Sequence, residues 1–82
     1  MYKIEEIINS LRDANVGEAY SQISEMLTGI VDLVERENKN LSEQYLNGIT
    51  LIIKEITLAM KRNDIVYIID LLKYELNNYI TL

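Results

Sequence analysis

The sequence predicts an all-α protein, an antiparallel four-helix bundle, and three observations lead to that prediction. The 82-residue chain has no proline and only three glycines, so few residues interrupt helical structure. Isoleucines and leucines recur at three- and four-residue spacing, which places them on one face of a helix. Clusters of Asn, Asp, Ser and Gly divide this pattern into four segments within a single domain, residues 1–82. The helices are expected at about 3–12, 16–37, 42–62 and 64–80.

The first two predicted helices are separated by the polar segment 13–17. The first helix places Ile4, Ile8 and Leu11 on one face and is short, so it depends on packing for its stability. Asn15 followed by Glu18 matches a capping box, in which each side chain satisfies free backbone amides at the start of a helix. The second helix is therefore expected to begin at about residue 16.

The third and fourth helices are predicted to form a tight hairpin. Ser42 suits the N-cap of the third helix, and Leu41 can pack on Leu46 as a hydrophobic staple. Asn63 tolerates the left-handed conformation that often ends a helix, and Asp64 can cap the next helix. A turn this short makes the two helices antiparallel neighbours.

These two helices carry apolar residues on two opposite sides. Their main stripes would face the core, and the second set points roughly the other way. Together with the acidic residue beside it, this second set is called the outer stripe: Leu51, Leu58, Tyr67, Asp70, Leu71 and Tyr74.

The outer stripe permits two interpretations. Its apolar residues can be further core, covered by a neighbouring helix. Alternatively they form an exposed interface, which the tyrosines favour because their rings bury apolar area while their hydroxyls stay in water. Asp70 then either keeps the helix soluble or fixes the register of a partner by accepting a hydrogen bond.

The composition argues against an enzyme. The chain contains neither cysteine nor histidine, which excludes thiol nucleophiles, imidazole bases and metal sites built on either residue. The acidic residues are spread over polar helix faces, so a solvated surface is the expected interpretation. We predict no catalytic, metal or cofactor-binding residues.

Charge and hydropathy narrow the choice of partner. The net charge is −5, and basic residues are scattered apart from Lys61 and Arg62, so neither nucleic acid nor an anionic membrane surface is an expected partner. The most apolar run, 49–60, is shorter than the roughly 20 residues of a membrane-spanning helix. The start of the chain carries no signal-peptide pattern, and a cytoplasmic location is expected.

The segment 59–76 resembles the closing segment of a group of small, uncharacterised bacterial helical proteins. It contains an Asn-Asp turn followed by Asp-Leu-Leu-Lys-Tyr-Glu-Leu. This resemblance implies a bacterial helical protein and brings no activity with it. In size, acidity and helix count the chain is also similar to the export chaperones of flagellar and type III secretion systems.

The sequence therefore predicts a non-enzymatic protein interaction module. Its expected partner is a second copy of the chain, forming a homodimer through the third and fourth helices, or a helical segment of another protein. The alternative is an export-chaperone-like adaptor that holds a helical client.

Overall fold

A computed structural model describes residues 4–80, and this part of the chain is helical throughout apart from short turns, with no strand. α1 spans Ile4–Arg12, α2 Val16–Glu37 and α3 Glu43–Arg62. α4 is one continuous helix made of an α-helical part, a π-helical part and a final α-helical turn, which span Ile65–Asp70, Leu71–Leu76 and Asn77–Ile80. A 3₁₀ turn, Asn38–Asn40, follows α2. The predicted all-α four-helix bundle is confirmed; Lys3, its predicted first helical residue, lies outside the described residues.

The four helices form a closed ring around one apolar core. α1 packs on α2 and α4, and α3 packs on the same two helices. None of the described polar or charged residues is buried in the core. The buried residues come from all four helices: Ile7, Ile8, Leu11, Ala19, Ile23, Met26, Ile30, Ile49, Ile52, Ile56, Ala59, Ile68, Leu71, Leu72 and Leu76.

The start of α2 differs from the prediction in how it is capped. The side chain of Asn15 makes no capping hydrogen bond, so the predicted capping box is wrong. Asn15 has φ −89° and ψ 55°, close to the φ −85° and ψ 79° of Asp64, which does cap its helix, so the backbone angles do not distinguish the two helix starts. The Asn15 backbone carbonyl still accepts a hydrogen bond from the Ala19 amide at 3.0 Å, so the helix starts at the predicted position without the side-chain cap.

The hairpin between α3 and α4 has the predicted caps. Ser42 accepts a hydrogen bond from the Tyr45 amide at 3.0 Å. Asn63 is left-handed with φ 55°, and Asp64 accepts from the Tyr67 amide at 3.3 Å through Oδ1. The Asp64 amide donates to the Ala59 carbonyl at 3.0 Å, which closes the helix end in the manner of a Schellman motif. Two residues thus reverse the chain and place α3 and α4 side by side.

The far end of the α3–α4 pair is joined by aromatic contacts. The Tyr45 and Tyr79 rings meet edge to face with centroids 5.2 Å apart, and the Tyr45 hydroxyl donates to the Tyr79 carbonyl at 3.2 Å. Gly48 allows this approach, because a Cβ at that position would collide with the Tyr79 hydroxyl. The two helices are therefore fixed to each other at both ends.

Leu71 is the outer-stripe residue that packs into the core. Its backbone is regular α-helix, with φ −62° and ψ −43°, and its amide donates to the Tyr67 carbonyl. Leu71 is only 4% exposed, because α1 and α3 both pack on this part of α4. It is therefore not an exposed member of the outer stripe, and the interpretation as further core applies to it.

Candidate functional site: a groove between α3 and α4

An open groove of about 600 Å³ lies on the outer side of the α3–α4 pair and is called the α3–α4 groove. Five of the six outer-stripe residues line it, and only Leu58 does not. Residues of α3 and α4 alone form its walls: Leu51, Ile52, Glu55, Tyr67, Asp70, Leu71, Tyr74 and Glu75. No residue of α1 is among them, so the short first helix leaves this side of the bundle open.

The base of the groove is apolar and continuous with the core. Ile52 and Leu71 are both buried and contribute to the hydrophobic core as well as to the groove. Leu51 on α3 and Tyr74 on α4 stand above this base and are 59% and 57% exposed. The groove therefore combines a fixed apolar base with exposed apolar side chains on each wall.

Leu58 lies elsewhere on the same helix. It is 37% exposed and follows Leu51 by about two helical turns, closer to the turn into α4. The structure thus separates Leu58 from the rest of the predicted interface.

A hydrogen bond between the two walls orders the polar part of the groove. The Tyr67 hydroxyl donates to Oε2 of Glu55 at 2.9 Å, from α4 to α3. This bond is the main cause that raises the pKa of Tyr67. Partial burial and the negative charges of Glu55 and Glu75 raise it further, against a lowering effect of Arg62. Tyr67 therefore stays protonated, as a donor, at neutral pH.

Glu55 and Glu75 are groove residues that the sequence analysis missed. Their spacing carried a signal: Glu55 follows Leu51 by four residues and Glu75 follows Leu71 by four, so each lies one turn from an outer-stripe residue. With Asp70 they make every charged residue of the groove lining acidic.

Two basic side chains lie against the tyrosine rings of the groove. The Arg62 guanidinium carbon is 6.0 Å from the centroid of the Tyr67 ring, and Lys73 Nζ is 5.3 Å from that of Tyr74. These are cation–π distances, and neither basic residue lines the groove.

The groove chemistry is suited to binding. Among residues 4–80, no group of three or more Asp or Glu side chains is arranged to hold a metal ion. None of the helices described is long and apolar enough to cross a membrane. The groove offers apolar surface, two phenol rings and carboxylate acceptors in one open furrow, an arrangement that can bury an apolar side chain and accept hydrogen bonds from a cation.

Fold and groove define a class: a small helical bundle with an amphipathic surface groove between two antiparallel helices. The family model described as "Domain of unknown function (DUF8042)" matches residues 2–80, and the chain belongs to that family. No curated protein and no solved structure matches the chain. Since the family match covers all four helices, the bundle and the groove both lie within the family's domain.

Proposed function

We propose that this protein is a non-enzymatic interaction module that docks a helical segment of a partner protein in the α3–α4 groove. The observation that carries the proposal is the pair of large apolar side chains, Leu51 and Tyr74, that stay more than half exposed on opposite walls above a buried apolar base. Exposed apolar groups that converge on one groove are typical of interaction surfaces.

The dimensions of the groove support a helix as the bound element. On α4 the groove extends from Tyr67 to Glu75, a rise of roughly 12 Å at 1.5 Å per residue, or about two helical turns. An amphipathic helix places its apolar residues in such a groove at three- and four-residue spacing. A third helix on α3 and α4 would repeat the packing that the bundle already uses inside.

The reactive groups of the groove favour binding over catalysis. Its polar side chains are carboxylates and tyrosine hydroxyls, and the sequence supplies no histidine or cysteine to act as base or nucleophile. The acidic lining repels phosphate, which supports a protein partner in preference to nucleic acid or an anionic membrane. Export-chaperone-like use of the groove and a cytoplasmic location remain predictions of the sequence.

Site-specific photo-crosslinking in the source cells, followed by affinity measurement with the purified partner, tests the proposal. A photoreactive residue replaces Leu51 in one variant and Val31, an exposed residue of α2, in another. We expect one defined partner to crosslink from position 51 and not from position 31.

A matched pair of double variants then measures the contribution of the groove. Leu51→Ser with Tyr74→Ser should weaken the partner at least tenfold, since buried anchors at an interface contribute roughly 1 to 2 kcal/mol or more each. Val31→Ser with Leu33→Ser removes exposed apolar groups from α2 instead and should leave the affinity unchanged. Equal losses in both double variants, or none in either, would contradict a docking role for the groove.

A further inference from the structure

We infer that the partner segment is a cationic amphipathic helix, with lysine or arginine beside its apolar face, and that a second copy of this chain is not the occupant. The inference rests on the proposed docking function and names the chemistry of the partner. It follows from how charge is distributed over the α3–α4 groove.

The charged residues of the groove stand on both walls and share one sign. Glu55 comes from α3, while Asp70 and Glu75 come from α4, and no lysine or arginine lines the groove. A helix lying along the apolar base therefore has carboxylates on both flanks. A basic residue on one side of its apolar stripe would meet a carboxylate of α3, and a basic residue on the other side would meet a carboxylate of α4.

The groove carboxylates can bind further hydrogen-bond donors, because the interactions within the chain do not occupy all of their oxygen lone pairs. Arg62 and Lys73 lie against tyrosine rings, outside the groove lining. Glu55 accepts one hydrogen bond through Oε2, from Tyr67, and a carboxylate can accept up to about four. A lysine or arginine of the partner can thus bind Glu55 without breaking its bond with Tyr67, which holds the carboxylate in place.

A second copy of the chain has the wrong charge for this surface. A two-fold interface sets the same patch of both copies face to face, so the three carboxylates of one groove would meet the three of the other. The whole chain carries a net charge of −5, and like charges across an interface act against association. The homodimer expected from sequence is therefore the less favoured use of the groove.

The test uses the full chain and three designed helical peptides of about four turns. The peptides share one leucine stripe and differ only in the residues that flank it, which are Lys, Gln or Glu. Binding is measured by NMR titration of the isotopically labelled protein, which identifies the residues contacted. We expect the Lys peptide to bind with shifts centred on Leu51 and Tyr74, the Gln peptide to bind more weakly there, and the Glu peptide to leave these signals unchanged.

A charge-matched pair of triple variants locates the source of any preference for the Lys peptide. Both variants remove three negative charges, one set in the groove and one on the exposed side of α2. The groove variant is Glu55→Gln, Asp70→Asn and Glu75→Gln. The control variant is Glu25→Gln, Asp32→Asn and Glu35→Gln.

We expect the groove variant to bind the Lys peptide about tenfold more weakly, the combined effect of three exposed charge pairs. The control variant should stay within about twofold of the natural chain, because its charges lie on the exposed side of α2 and not in the groove lining. Raising the salt to about 1 M should remove most of the difference between the natural chain and the groove variant.

Three other outcomes would overturn the inference, and they differ in what they mean for the proposed function. Equal groove binding of the Lys and Gln peptides would remove the preference for cations while the docking function stands. Light scattering that shows a dimer dissociated by Leu51→Ser with Tyr74→Ser would make the second copy the occupant, again with the docking function intact. A monomer whose groove signals respond to none of the peptides would contradict the inference and the docking function together.

Discussion

The inner and outer faces of the α3–α4 pair both carry large apolar side chains at helical spacing, but only the inner ones are buried. On the inner face Ile49, Ile56 and Ile68 are almost completely buried, and their spacing closes the bundle. On the outer face Leu51 and Tyr74 are more than half exposed and have acidic neighbours in the groove. Apolar spacing alone therefore does not distinguish a core residue from an exposed one, because that depends on whether another helix covers the face.

The largest expected effect compares two positions on α3. Ile56→Ala should lower the free energy of unfolding by about 2 to 5 kcal/mol, because it leaves a cavity at a fully buried site. Leu51→Ala should change it by less than about 0.5 kcal/mol, since most of that side chain is already in water. Urea unfolding followed by circular dichroism measures both.

These two variants also provide their own control, because both place alanine on the same helix and share the gain in helix propensity. A loss at Leu51 as large as that at Ile56 would show that the outer face is covered in the free protein. The groove would then be unable to receive a partner.

The second prediction concerns the border between the two faces. Leu71 lines the groove but is buried with the core, so Leu71→Ala should cost about 2 to 3 kcal/mol of stability. Tyr74→Ala, on the same helix and on the groove wall, should cost less than about 1 kcal/mol. Thermal unfolding of the two variants is the measurement, and equal losses would mean that Leu71 is not packed into the core.

Much of this architecture could be predicted from residue types and spacing. Ser42, Asn63 and Asp64 end or begin their helices as predicted, because each role depends on a local property of one residue type. The bundle follows from the apolar spacing, which is read along one helix at a time. Five of the six predicted interface residues reach the groove for the same reason.

What could not be predicted depends on packing between helices. Leu71 is buried because α1 and α3 pack on this part of α4, and the spacing within α4 does not show which residues they cover. The Asn15 side chain makes no capping bond, although its residue type and the spacing to Glu18 both fit a capping box. The sequence predicts a solvated surface for its acidic residues, Glu55 and Glu75 among them, and only the packing of α3 against α4 places these two around one groove.

The third prediction concerns the turn between α3 and α4, and compares the stability contributed by the N-cap residues of α4 and α2. Asp64→Ala removes a side chain that caps α4 and should lower the free energy of unfolding by about 1 kcal/mol. Asn15→Ala, at the start of α2, removes a side chain that makes no capping bond and should have a smaller effect. Chemical denaturation of the two variants compares them, and a larger loss for Asn15→Ala would mean that α2 and not α4 has the side-chain cap.

The smallest expected effect is a change in how the unfolding free energy depends on pH, and it arises from Tyr67 on the outer face. The hydrogen bond to Glu55 raises the pKa of Tyr67, so its hydroxyl keeps its proton to higher pH in the folded chain than in the unfolded chain, where the pKa is about 10. The resulting stabilisation is complete below the unfolded pKa and is lost as the pH rises through the folded one. Tyr67→Phe removes this contribution, so its unfolding free energy should fall less steeply than that of the natural chain as the pH rises above about 10.

Burial also raises the pKa of Tyr20, but that residue is present in both proteins and its effect cancels in the comparison. Tyrosinate absorbance of the folded chain gives a direct check, because Tyr67→Phe should remove one late-titrating phenol. Identical alkaline slopes would mean that the bond between Tyr67 and Glu55 does not persist in solution. The two walls of the groove would then be held together only by the inner face and by the contacts at the ends of the hairpin, and Glu55 would not be held in place for a partner.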